Sequence, residues 1–154
     1  MKGNEKLLQV LNALLAEELT AINQYMVHSE LSENWGYSKT HTAKRAQSMD
    51  EMHHAEWLIE RMIFFEGAPT VSKINTINIG KTVEAMINND YQSELHAVQL
   101  YNDAIKLAHE VEDQGTVDLL TKILKMEEDH VDWAEIQLTQ IEQMGIENYL
   151  ISQV

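Results

Sequence analysis

Leu7, Leu8, Leu11, Leu14, Leu15, Leu19 and Ile22 fall on one helical stripe near the start of the chain, with polar residues between them. With Asn4 as a cap, this pattern predicts a first helix from Glu5 to about Glu33, ended by Asn34-Trp35-Gly36. A helix of that length is about 45 Å long, which suits a long bundle. A second helical pattern starts at Ser38 and runs to about Phe65, so close behind the first that the two must be antiparallel neighbours. Gly67-Ala68-Pro69 ends it, and Pro69 is the chain's only proline. From about 66 to 82 no helical period is visible. Extended, that stretch reaches roughly 55 Å, enough to run the length of a bundle and set the second and third helices parallel. Thr82 caps a third helix that runs to about Val111, with Glu84 in its first turn. Asp113-Gln114-Gly115 reads as a turn, and a fourth helix follows from Thr116 to about Met144, with Gly145 just past its end. The apolar tail Ile146–Val154 reads as a short fifth helix, lying either on a neighbouring subunit or back on its own bundle. The expected fold is all-α: one domain over residues 1–154, a four-helix bundle with one long crossover between helices 2 and 3.

A spacing repeats inside this pattern. Glu18 is followed by Glu51 and His54, and Glu94 by Glu127 and His130; the second set is the first moved by 76 positions. Neighbours move with it: Glu18-Leu19-x-Ala21-x-x-x-Tyr25 matches Glu94-Leu95-x-Ala97-x-x-x-Tyr101. Likewise Glu51-x-x-His54-x-Glu56-Trp57 matches Glu127-x-x-His130-x-Asp132-Trp133. Residues three apart share a helical face, so each Glu and its following His aim at one point. A single Glu-x-x-His is common on solvated helices; two copies at one offset, each with a partner Glu upstream, are far more specific. Packing accounts for Trp57, Trp133, Tyr25 and Tyr101 in a duplicated bundle. It does not account for four interior carboxylates, which are costly unless paired or metal-bound.

Four carboxylates and two imidazoles suit iron or manganese better than copper or structural zinc. Each metal takes one terminal glutamate (Glu18 or Glu94) and one histidine (His54 or His130), while Glu51 and Glu127 bridge. Open positions remain for dioxygen or hydrogen peroxide, so the expected chemistry is joint oxidation of two Fe(II). Composition agrees. Eleven basic against 25 acidic residues give a formal charge of −14, which disfavours nucleic acid and anionic membranes as partners, although most of that charge is a solvated surface. The chain has no cysteine, which removes disulfides, zinc–thiolate sites and cysteine-bound iron–sulfur clusters. There is no signal-like apolar start and no run of 18 apolar residues, so a cytoplasmic protein is the expectation.

Longer stretches then bring in a resemblance. Ala21-Ile22-Asn23-Gln24-Tyr25, Asn34-Trp35-Gly36, Asp50-Glu51-Met52-x-His54-Ala55, Ile59-Glu60-Arg61, Phe65-Glu66-Gly67, Asn78-Ile79-Gly80, His130-x-Asp132-Trp133 and Met144-Gly145-x-x-Asn148-Tyr149-Leu150 resemble the bacterioferritins, the haem-containing branch of the ferritin family. The resemblance covers essentially the whole chain. It implies a hollow shell of 24 identical or similar subunits that oxidises Fe(II) and stores it as a ferric mineral. The family's ferroxidase ligands fall on Glu18, Glu51, His54, Glu94, Glu127 and His130. It also implies a haem b shared by two subunits, with Met52 of each on the iron, and a small ferredoxin that delivers electrons for iron release. Position 52 is turned ~100° from Glu51, away from the box and toward an outer surface. In some members a histidine at the position of Ala46 joins the carboxylate at Asp50 in an inner-surface cation site. Ala46 cannot ligate and Gln47 is neutral, so Asp50 is left as the only candidate there.

The remaining histidines, His28, His41, His53, His96 and His109, have no matched partners, and surface or helix-flank positions are expected for them. Tyr25 shares a face with Glu18 and is expected near the metals. Two rival readings stand beside this one. A peroxide-reducing, rubrerythrin-like protein uses seven ligands where six are found, and lacks its usual electron-supplying domain in a chain without cysteine. A structural shell subunit of a mixed assembly has no need of intact ligands.

Overall fold

The first helix, α1 (Glu5–Asn34), begins where its cap predicts: the Asn4 side chain accepts from the Leu7 amide at 3.0 Å. The computed structural model describes all 154 residues, Met1–Val154. After α1 come α2 (Ser38–Phe64), α3 (Val83–Glu110), α4 (Gln114–Met144) and α5 (Ile146–Gln153), with no strand. Two boundaries differ from expectation. Ser38 is the first helical residue rather than the cap; Tyr37 occupies the cap without a side-chain bond. α4 starts at Gln114 because Asp113 caps it, accepting from the Thr116 amide at 3.0 Å and from Arg61 Nη2 at 2.8 Å. Gln114 and Gly115 are therefore the first turn of the helix, not a separate turn.

α1 and α2 form one antiparallel hairpin, and α3 and α4 the second. Rising numbers on α1 meet falling numbers on α3: Glu18 meets Tyr101, Tyr25 meets Glu94, and His28 meets Asp90. α3 is thus antiparallel to α1 and parallel to α2, the arrangement a long crossover produces. The crossover lies along α1. Backbone amides of Asn75, Asn78 and Gly80 donate to Thr20 Oγ1, Gln24 Oε1 and His28 Nε2 at 2.8, 3.0 and 2.9 Å. The three acceptors stand one helical turn apart on one stripe. Gly80 fits because the α3 backbone presses on it; a Cβ there would lie 2.3 Å from the Met86 nitrogen.

The main apolar core fills the end of the bundle nearest the α1 N-terminus, where Leu11, Leu15, Leu58, Leu120 and Ile123 are fully buried. Each such side chain stabilises the fold by about 1.5–3 kcal/mol. A smaller cluster at the other end joins Val83, Ile87, Ala134 and Ile141 to Tyr149 of α5. The tail therefore folds back on its own bundle through one face. Gln153 Oε1 accepts from Thr40 Oγ1 at 3.1 Å, while Ile151 and Val154 point to solvent. Gly145, with φ +79°, makes the sharp turn into α5. No helix is long and apolar enough to cross a membrane.

Candidate metal centre

Between the two apolar clusters, the four long helices turn six charged or titratable side chains inward: Glu18 from α1, Glu51 and His54 from α2, Glu94 from α3, and Glu127 and His130 from α4. All six are buried. They form two groups whose potential ligand atoms lie within 4.8 Å of one another: Glu18, Glu51, His54 and Glu127, and Glu51, Glu94, Glu127 and His130. Glu51 and Glu127 belong to both, the place of a bridging carboxylate.

In both histidines Nδ1 faces the centre. His54 Nδ1 is 2.8 Å from Glu51, 3.1 Å from Glu127 and 3.5 Å from Glu18. His130 Nδ1 is 3.2, 3.3 and 3.4 Å from Glu51, Glu94 and Glu127. Glu51 Oε1, Glu127 Oε2 and His130 Nδ1 are nonetheless buried without a hydrogen-bond partner. Orphaned polar atoms are rare inside proteins. Three of them converging among four carboxylates fit the donor set of a cation, and two divalent ions balance four carboxylates charge for charge.

Electrostatics divide the glutamates by position. Burial pushes Glu51 up, and repulsion from Glu18 and Glu94 pushes it further; burial and repulsion from Glu51 and Glu94 do the same to Glu127. The outer pair goes the other way. Burial opposes the charge on Glu18, but the close approach of His54, at 3.5 Å, and of Glu51 holds it below the usual carboxylate range. Glu94 is lowered against the same burial cost by its close neighbours His130, at 3.3 Å, and Glu127. Two tyrosines add to this reciprocally: Tyr101 Oη donates to Glu18, and Tyr25 Oη donates to Glu94. Burial, and then the neighbouring carboxylates, keep both phenols protonated.

The outward nitrogens of the two histidines meet different partners. His130 Nε2 faces Asp50 Oδ2 at 3.0 Å, and that hydrogen bond holds the Asp50 carboxyl low. His54 Nε2 faces Met126 Sδ at 3.3 Å. Asp50, expected at an inner-surface cation site, is thus engaged with a box histidine. A cavity of about 480 Å³ connects the box to solvent between α1, α3 and the crossover. It runs from Glu18, Glu51, Glu94 and Glu127 out past Thr76, Gln92 and the exposed His96.

Beyond the box lies a buried polar cluster that the sequence pattern does not disclose. Lys44 Nζ pairs with Asp90 Oδ2 at 2.7 Å and sits 4.6 Å above the Trp133 ring. His28 Nδ1 lies 3.0 Å from Asp90 Oδ2, and Gln24 Nε2 donates to Asp90 Oδ1 at 2.7 Å. His28 is fully buried, so the surface position expected for it is corrected. His53 and His109 are exposed and His41 is half-buried, as expected of residues off the site, while exposed His96 lines the cavity that leads to the box. Met52 is half-buried and is not among the six residues of the box; exposed Met49 lies one turn away along α2.

Residues 8–144 match the family model of the ferritin-like domain. Over 149 residues the chain is 36% identical to the bacterioferritin of Mycolicibacterium paratuberculosis, covering 97% of this chain and 94% of that one. It is 39% identical to a bacterial ferritin of Synechocystis sp. over 155 aligned positions, covering 100% and 99% of the two chains. A bacterioferritin of Brucella melitensis is 36% identical over 149 residues, covering 97% and 92%. With its duplicated carboxylate–histidine box at the centre of a five-helix fold, this chain belongs to the ferritin-like family and, within it, to the bacterioferritins.

Proposed function

We propose that the chain is the ferroxidase subunit of an iron-storing shell, taking up two Fe(II) in the box and releasing Fe(III) to a mineral. One observation carries the reading: two buried ligand groups share Glu51 and Glu127, and three of their polar atoms have no partner in the protein. Each Fe(II) gives up one electron, and the pair reduces dioxygen or hydrogen peroxide by two. The protein's part is to hold the ions and shape their approach. Glu18 and His54 hold one, Glu94 and His130 the other, and Glu51 and Glu127 span both. Tyr101 and Tyr25 orient the terminal carboxylates by donating to them. The cavity past Glu17 and His96 is an acidic, open path for a hydrated cation.

The wider assembly follows the family. A 24-subunit shell, homo-oligomeric or mixed with a related subunit, encloses the mineral in the cytoplasm. Met52 of two chains would hold a haem b, and a small ferredoxin would supply electrons for iron release. Support for the haem is local: a half-buried thioether on α2, with exposed Met49 on the same helix and exposed Met26 on α1. Ser48 Oγ bonds the Ile22 carbonyl at 3.0 Å, placing these faces of α1 and α2 side by side.

Rapid mixing of metal-free protein with Fe(II), under oxygen or peroxide, tests the proposal beside a Glu94→Ala/Glu127→Ala double variant. A fast absorbance phase saturating at two Fe(II) per chain, and missing from the variant, is expected. Equal slow oxidation by both proteins would leave the box without a catalytic role and favour a structural shell subunit. Native mass spectrometry reads the subunit number and any second subunit type.

A further inference from the structure

The duplication supplies its own control. Moving Asp50 by the internal offset of 76 positions lands on Met126, and the two residues do occupy equivalent places. Each stands one position before a bridging glutamate, and each touches the outward Nε2 of the opposite hairpin's histidine: Asp50 on His130 at 3.0 Å, Met126 on His54 at 3.3 Å. Nearer the centre the six ligand residues match in identity, and the Tyr101–Glu18 and Tyr25–Glu94 bonds are reciprocal. The duplicated box is asymmetric where it is backed from behind.

The chemical difference is large. A histidine bound to metal through Nδ1 carries its proton on Nε2. A carboxylate accepting that proton fixes the ring and makes the ligand nitrogen a stronger donor. A thioether is only a weak acceptor. Water cannot stand in for it, because His54 is fully buried and the Trp57 ring packs against it with centroids 5.7 Å apart. Losing such a carboxylate partner typically weakens metal binding about 10- to 100-fold.

We propose that the two metal positions are unequal: the one on His130 and Glu94 fills first, and the one on His54 and Glu18 binds a divalent ion about 10- to 100-fold more weakly, because Met126 replaces a carboxylate behind His54. This rests on the two-metal reading of the box. Asp50 and Met126 act as positioning residues, not as ligands. Fe(II) at the His54 position is then the more readily exchanged of the two.

Sequential loading alone does not test this, since repulsion between two ions weakens the second in either order. Which position fills first does test it. Crystals of the whole protein are equilibrated anaerobically with one Co(II) per chain, and anomalous scattering at the cobalt edge reads each position's occupancy. Cobalt concentrated beside His130 is expected. The partners are then exchanged: Met126→Asp brings the occupancies toward equality, as does Asp50→Met, and the double exchange moves the preference to His54. Met126 is half-buried, so an aspartate there retains access to solvent. Equal occupancy in the unmodified protein, or a preference for His130 that survives the double exchange, overturns the proposal. The unmodified protein decides the first point whether or not the variants fold. Cobalt at neither position, even in excess, overturns instead the two-metal reading beneath it.

Discussion

From the box toward the start of α1, the bundle interior is Leu7, Leu11, Leu14, Leu15, Leu58, Leu120 and Ile123. From the box toward the other end it holds Gln24, His28, Ser32, Thr40, Lys44, Ser48 and Asp90, closed off by a small apolar cluster under α5. The same four helices pass through both regions. The apolar end stabilises without depending on exact pairing, because dispersion and burial are non-directional. The polar end is stable only as a complete set: Lys44 is buried, and Asp90 pairs with it while also bonding His28 and Gln24. His28 in turn holds the crossover through the Gly80 amide.

The largest effect is expected where the set is broken. Asp90→Ala strands Lys44 in the interior and should cost about 3–5 kcal/mol, read by denaturant unfolding of the metal-free protein. Folding also depresses Asp90: burial resists its charge, but Lys44 and His28 outweigh that. Its contribution is therefore full above the ordinary aspartate value near 3.8 and is lost as pH falls through the lower folded value. In Asp90→Asn that acid-side loss should vanish. Next comes the apolar end. Leu58→Ala should cost about 2–5 kcal/mol, yet leave the stoichiometry of fast Fe(II) oxidation at two per chain. A changed stoichiometry would show that the apolar end also shapes the box.

Tyr101→Phe removes a hydrogen bond to a buried carboxylate and should cost about 1.5–3 kcal/mol. Tyr25→Phe should match it, since the duplication makes the two bonds equivalent; unequal losses, in the same unfolding assay, would extend the asymmetry inward from Asp50 and Met126. The box also sets a pH trend in metal-free protein. Burial works against a charged His54, but Glu127 and Glu18 push it up to about 9. A raised histidine contributes stability that is full below its ordinary value near 6.5 and is lost as pH rises through about 9. Raised Glu51 and Glu127 act in the same sense. Thermal melts of metal-free protein should therefore fall across that window. With divalent metal bound the trend should reverse, because ligation needs neutral imidazole and ionised carboxylate.

Periodicity and caps made the helices legible: Asn4 and Thr82 cap as their side chains imply. The offset of 76 made the six box residues legible, since packing alone gives no reason for carboxylates and imidazoles to repeat at matched spacing inside a bundle. What stayed hidden depends on contacts between distant residues. Lys44 and Asp90 are 46 positions apart and leave no period, and His28, a lone histidine, reads as surface until Asp90 and Gly80 are placed around it. Met126 was visible only as a failure of the repeat, which draws no attention until its partner is known. The tail could lie on a neighbour or on its own bundle; Tyr149, buried and donating to Gln137 Oε1 at 2.7 Å, decides that for one of its faces.

The crossover, hung on α1 by three amides, is also the only covalent join between two hairpins that each hold half of the box. Glu18, Glu51 and His54 lie before it, and Glu94, Glu127 and His130 after it. A tether of this kind keeps two binding partners at an effective concentration in the millimolar range. Cleaved at the exposed Val71, the chain becomes two fragments whose reunion depends on dilution, and a divalent ion that draws ligands from both becomes the agent that joins them.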